Sequence, residues 1–187
     1  MNKSTKGAIA ASAAAALLLG GAGSLAYWNS ESTVEGTSIT AGELKLESPS
    51  TGTWQITNNG TTTAVADINA VRIVPGDKLT YTRSWTVKAT GQNLKADVDV
   101  TGLNGSGTLA SHVTLTDTYE LSTTVGGSTF AAVTNDRVTS SDNGKTLRAK
   151  VAVDLPFNAT PTDLNNDSQA KTLDLTKIKV VLKQAAS

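Results

Sequence analysis

The sequence predicts an all-β fold, an antiparallel β-sandwich carried behind a cleavable signal peptide. Three observations predict it. Apolar and polar residues alternate with a period of two in one segment after another. Asn-Gly, Gly-Gly and Pro-Gly pairs fall between those segments, where glycine and asparagine supply the positive φ of tight turns. No segment after the leader has a helical repeat.

The leader comes first in chain order. Lys3 and Lys6 form its positive start, Ala8 to Leu19 a short apolar stretch, and Gly20-Gly21-Ala22-Gly23 a bend. Ser24-Leu25-Ala26 then reads as a small-x-small cleavage site, with the cut between Ala26 and Tyr27. The apolar stretch is too short and too rich in alanine to span about 30 Å of hydrocarbon. The expectation is export, with no stable membrane insertion after cleavage. Residues 27–187 would form one domain, opening with a flexible polar lead over residues 27–37.

The strands follow from alternation. Leu44 and Leu46 alternate with Glu43, Lys45 and Glu47, and Trp54 and Ile56 with Thr53, Gln55 and Thr57. Further on, Val98 and Val100 alternate with Asp97 and Asp99, Val151 and Val153 with Lys150 and Ala152, and Val180 and Leu182 with Lys179 and Lys183. Leu44, Leu46, Val98, Val100, Val151 and Val153 should therefore share one core. Asn59-Gly60, Gly126-Gly127 and Asn143-Gly144 are candidate two-residue hairpin turns, and Pro75-Gly76-Asp77 a tight turn. Leu103 to Gly107 is a looser loop, and Asn158 to Ser168 a polar crossover with room for a helical turn. About nine strands joined by such crossovers fit jelly-roll connections better than a meander.

Composition narrows function by exclusion. The chain has 16 basic and 16 acidic residues, and Lys3 and Lys6 are the only charges of the leader, so the remainder carries a net charge of −2. That balance gives no electrostatic reason to bind nucleic acid. There is no cysteine, hence no disulfide framework, thiol nucleophile or thiolate metal site. An exported protein without cysteine suits a bacterial surface better than a eukaryotic secretory route.

Candidate chemistry is sparse. His112 is the single histidine, so a two-histidine zinc helix is excluded. A Ser-His-Asp triad lacks its G-x-S-x-G turn, and His112 is expected to be structural, at the head of a strand. Asp97 and Asp99 share a strand face, which a glycosidase would need, but the alternation reads as a solvated face. Asp163, Asn165 and Asp167 spell D-x-N-x-D, the start of a calcium loop, without its glycine and distal glutamate. Trp28, Trp54 and Trp85 could offer a stacking platform, with Trp85 expected in the core. No LPxTG-like sorting signal occurs in the sequence, so covalent attachment to a wall by that route is not expected. The expectation is no catalytic site, no metal and no cofactor.

Read together, these residues resemble a known family. A leader with a Gly-rich bend precedes Ala26-Tyr27-Trp28, then Ala41-Gly42-Glu43-Leu44-Lys45-Leu46, then Ile73-Val74-Pro75-Gly76-Asp77-Lys78-Leu79. This order is similar to the TasA/camelysin family, and more closely to its actinobacterial relatives with an alternate-type (SipW-dependent-type) signal peptide. The resemblance covers roughly residues 1–87. It implies a jelly-roll sandwich, release by a dedicated signal peptidase, and self-association into fibres of a biofilm matrix at the cell surface. In that family the N-terminal segment of one subunit supplies a strand to the next. Here Tyr27, Trp28 and Val34 would be the anchors of that segment. Camelysin-like members have been classed as metalloproteases, but no motif in this sequence supports the activity. A monomeric surface module that binds glycan or protein is the alternative expectation.

Overall fold

One long strand organises the large sheet. β4 (Lys78–Thr90) runs for 13 residues. Leu79, Tyr81, Trp85, Val87 and Ala89 lie on one face, and Thr80, Thr82, Ser84 and Thr86 on the other. The β-branched threonines favour this extended backbone. The computed structural model describes residue 36, residues 38–157 and residues 164–186. The cleavage site at Ala26 and Tyr27, the anchors Trp28 and Val34, and Asp163 lie outside the described residues.

Along one side β4 pairs with β9 (Thr146–Asp154), antiparallel from Lys78 to Thr86. Along the other runs a single broken strand. β1 (Glu43–Glu47) pairs with the end of β4, and β2 (Thr53–Asn58) with its start. Ser50 stitches the break: its N–H donates to the Ser84 carbonyl at 2.8 Å, and its Oγ accepts the Ser84 N–H at 3.0 Å. β3 (Thr61–Val65) folds back on β2, while β6 (Thr114–Ser122) pairs with β9 and β7 (Phe130–Ala132) with β6. The order is β3-β2-β4-β9-β6-β7, with β1 beside β4. A second, three-stranded sheet has the order β10 (Lys179–Gln184), β5 (Lys95–Thr101), β8 (Arg137–Thr139).

The two antiparallel sheets share a core. Val87, Ala89, Tyr119, Leu147, Ala149 and Val151 from the large sheet meet Ala96, Val98, Val100 and Val138 from the small one. Leu44, Leu46, Trp85 and Val180 pack against that cluster from its flanks. Each fully buried Val or Leu is worth about 1.5–3 kcal/mol relative to exposure, so this cluster carries most of the fold's apolar stabilisation. Of the six expected core residues, Leu44, Leu46, Val98, Val100 and Val151 join this cluster. Val153 is buried too, at 1% exposure, but lies one step beyond it.

The alternating segments all form strands. β4 and β6 are harder to read, because each places a charged residue, Arg83 or Asp117, at an inner-face position. Asp117 is held there by the Tyr119 hydroxyl, which donates to it. The turns behave unequally. Asn59 and Gly60 have φ of 48° and 79°, as a two-residue hairpin between β2 and β3 demands. Gly126 has positive φ but Gly127 does not, so the pair sits inside a longer loop closed by Thr123 N–H to Thr129 O. Asn143-Gly144 is no hairpin either. It leads from the 3-10 turn Ser140–Asp142 into β9, and so carries the chain from one sheet to the other. Gly42 is required by close approach: a Cβ there would fall 2.1 Å from the Thr90 carbonyl oxygen.

Candidate functional site

The small sheet stops short of the large one. Beyond Val100 the inner face of the large sheet continues through Leu79, Tyr81, Val153 and Leu155, and two irregular segments cover it instead of strands. The first, residues 68–75, is folded back by the Pro75-Gly76-Asp77 turn. The buried Asp77 carboxylate accepts the Val74 N–H at 2.8 Å and the Asn58 side-chain amide, while the Asp77 N–H donates to the Val74 carbonyl. The second, residues 166–176, extends the β5–β10 pairing by one isolated bridge, Ser106 to Asp174, and by Leu109 N–H to Thr172 O.

Between these segments and the sheet lies a cleft of about 1600 Å³. Trp54 and Tyr81 stand in its wall with ring centroids 4.9 Å apart at 45°. The Tyr81 ring lies across the backbone of Gly52, where a Cβ would come within 2.0 Å of its hydroxyl. Val74 and Phe157 line the cleft yet remain 56% and 65% exposed, so its walls present apolar surface to solvent. Arg72 and Lys171 bring positive charge to the lining. Of these residues the sequence singled out Trp54 alone as a binding candidate. Val71, Ile73, Val74, Leu173 and Leu175 were its overlooked signal, apolar residues in segments too irregular to read as strands.

The other candidates lie apart. His112 ends the 3-10 turn Ala110–His112, just before β6. Its Nδ1 is 3.0 Å from Ser111 Oγ and its Nε2 3.1 Å from Lys171 Nζ. An ammonium only donates, so Nε2 accepts and Nδ1–H donates to Ser111. No lone pair then remains on His112 to take the Ser111 proton. Asp97 and Asp99 share the outer face of the small sheet, but Arg137 holds the first at 2.8 Å and Lys183 the second at 2.6 Å. Asn165 and Asp167 fall in the short helix Leu164–Asp167. Among the described residues no three His, Asp or Glu side chains converge on a metal position. Trp85 packs against the core, with the Arg83 guanidinium 5.6 Å from its ring centroid.

Among the described residues, perturbed titration accompanies burial, hydrogen bonds and ion pairs within the fold. Burial, and then the neighbouring Asp117, push the Tyr119 phenol far up. Lys150 at 2.7 Å, aided by Arg148, holds Glu120 below the usual carboxylate range. Burial raises Asp142, but the Lys145 ammonium and the Thr139 N–H and hydroxyl outweigh it, so the net shift is downward. Tyr119, Glu120 and Asp142 do not line the cleft, but Asp174 does, and the Thr176 N–H that donates to it at 2.8 Å holds its carboxyl below the usual range. Comparison with protein-family models, with curated proteins and with solved structures finds no match for this chain.

Proposed function

We propose that this protein is a secreted structural component of the bacterial cell surface or matrix, a jelly-roll-type domain freed from its leader between Ala26 and Tyr27. It assembles into fibres when the N-terminal lead of one subunit adds as a strand to the next. The observation that carries this reading is the open side of the cleft. Among the described residues the outer edge of β10 has no strand partner, and Leu173, Leu175 and Ile178, which lead into β10, line the cleft where Val74 and Phe157 stand exposed. Edge N–H and C=O groups accept an added strand, and pockets alongside take its alternate side chains.

The lead has the matching chemistry. Tyr27 and Trp28 are large aromatic anchors in a chain with 4% aromatic residues. Glu31 and Glu35 repeat the four-residue spacing of Lys179 and Lys183 on β10. Opposite charges in register set pairing and exclude wrong partners. The resemblance to fibre-forming TasA-like proteins points the same way. Electron microscopy of protein beginning at Tyr27 should show fibres, and deletion of residues 27–33 should abolish them while circular dichroism stays unchanged. Fibres of equal abundance from the deleted chain would refute the reading.

The paired rings of Trp54 and Tyr81 favour one second reading, a monomeric surface module that binds glycan or protein in the cleft. Protein that stays monomeric over days, with tryptophan fluorescence that responds to added glycan, would select it.

A further inference from the structure

The edges of the two sheets are not chemically alike. β1 carries Glu43, Lys45 and Glu47, β10 carries Lys179 and Lys183, and β8 carries Arg137. Charged side chains on edge strands are the usual guard against edge-to-edge pairing. β7 is neutral but only three residues long. β3 is the exception: Thr-Thr-Thr-Ala-Val has no charge, proline or bulge, and Thr61 to Ala64 are exposed. Threonine and valine are also strong strand formers.

The hairpin fixes which groups of β3 face outward. Asn59-Gly60 is a two-residue turn, so Asn58 and Thr61 form the hydrogen-bonded pair that closes it. Thr61, Thr63 and Val65 therefore direct their backbone groups at β2. Thr62 and Ala64 direct theirs away from the sheet. The Thr57 and Thr62 hydroxyls, 2.8 Å apart, agree with this parity, since side chains approach most closely in non-hydrogen-bonded pairs. Among the described residues nothing else bonds the Thr62 or Ala64 backbone.

We propose that β3 is a self-pairing edge, and that two copies of this chain associate through it, antiparallel, about a two-fold axis at Thr63. In that register Thr62 of each copy exchanges two backbone hydrogen bonds with Ala64 of the other. Thr61 lies opposite Val65, and Thr63 opposite its own equivalent. Every apposed pair is neutral. The same operation on β1 would set Lys45 against Lys45 and Glu43 against Glu47, and on β10 would oppose Lys179 and Lys183. A second copy is thus the occupant that the neutral edge fits, whereas the charged edges suit only an oppositely charged strand. The contact is short and polar, so it is a weak dimer in exchange with monomer.

The cysteine-free background makes the test direct. At a non-hydrogen-bonded pair the Cα atoms lie about 4.5 Å apart, within disulfide reach. Thr63→Cys should therefore oxidise to a covalent dimer. Thr61→Cys is the control, because its two copies would stand about 13 Å apart, four residues along the strand. We expect cross-linking of Thr63→Cys at least tenfold faster than of Thr61→Cys. In sedimentation velocity the unmodified protein should shift from monomer towards dimer across roughly 10 μM to 1 mM, the regime of small polar contacts. Ala64→Pro deletes an N–H that bonds nothing among the described residues, and should weaken dimerisation at least tenfold with an unchanged circular dichroism spectrum. Deleting residues 27–33 should leave the cross-link intact, which separates this contact from fibre growth. Equal cross-linking at residues 61 and 63, or association of Ala64→Pro matching the unmodified protein, would overturn the proposal.

Discussion

The two ends of the large sheet's inner face are built from the same kinds of residue and finished differently. At one end Val87, Leu147, Ala149 and Val151 meet a three-stranded sheet, and Val87 and Leu147 are fully buried. At the other end Leu79, Tyr81, Val153 and Leu155 meet irregular segments and leave a cleft rimmed by exposed Val74 and Phe157. A sheet face is dried by whatever carries enough apolar surface in register with it. β5 and β10 do so for the closed end, and the segments at 68–75 and 166–176 do so only in part for the open end. Stability should therefore reside in the first and association in the second.

The largest expected effect lies in the closed end. Leu147→Ala should cost about 3 kcal/mol in chemical denaturation, the usual range for a fully buried leucine. A loss near zero would mean that the two sheets do not share this core.

A smaller effect sharpens the same comparison through pH. Asp142 caps the 3-10 turn that carries the chain between the sheets, bonded to the Thr139 N–H at 2.9 Å and to Lys145 at 2.9 Å. Asp142→Ala should cost about 1 kcal/mol at neutral pH, as for other lost caps. The folded carboxyl titrates below its unfolded value. Its contribution is therefore complete above the unfolded range near about pH 4, and is lost as pH falls through the lower folded value. The stability gap between variant and parent should close in acid. A gap that persists at low pH would assign the cost to packing instead.

At the open end Val74→Ser should change stability by no more than about 0.5 kcal/mol, because the side chain is mostly in water already. The same change should slow fibre growth measurably by light scattering. If it destabilises as much as Leu147→Ala, the two ends are not distinct. The smallest expected effect is that of a chelator. Stability and assembly should be indifferent to it, and elemental analysis should find no stoichiometric zinc. Chelator-sensitive peptidase activity would contradict that.

Much of the closed end was legible in the sequence. Alternation over residues 97–100, 150–153 and 179–183 reports a strand with one dry face, and all three segments form strands of the core. Asn59-Gly60 was legible as a two-residue turn because it stands between two segments of strand alternation, whereas the same pair at Asn143-Gly144 follows a 3-10 turn and Asn143 there has φ of −57°. The centre of the large sheet was less legible, since Arg83 and Asp117 interrupt the inner rows of β4 and β6. The open end was hardest. Tyr81 reaches the cleft from the middle of a strand, and Val71, Ile73, Leu173 and Leu175 line it from irregular chain. Spacing carries no information there, because tertiary contacts with the sheet, not local period, decide where these side chains go. The neutral edge of β3 was visible as composition, but its exposure depended on the strand order.

In the proposed assembly the lead is the donor, and the free edge of β10, with the cleft beside the segment that leads into it, is the acceptor. A chain lacking residues 27–33 would keep the acceptor and lose the donor. Added to growing intact protein, it should enter a fibre end and stop elongation there. Mean fibre length by electron microscopy should then fall steadily with the fraction of truncated chain, at constant total protein. Fibre length independent of that fraction, with truncated chain either excluded or incorporated throughout, would contradict the account.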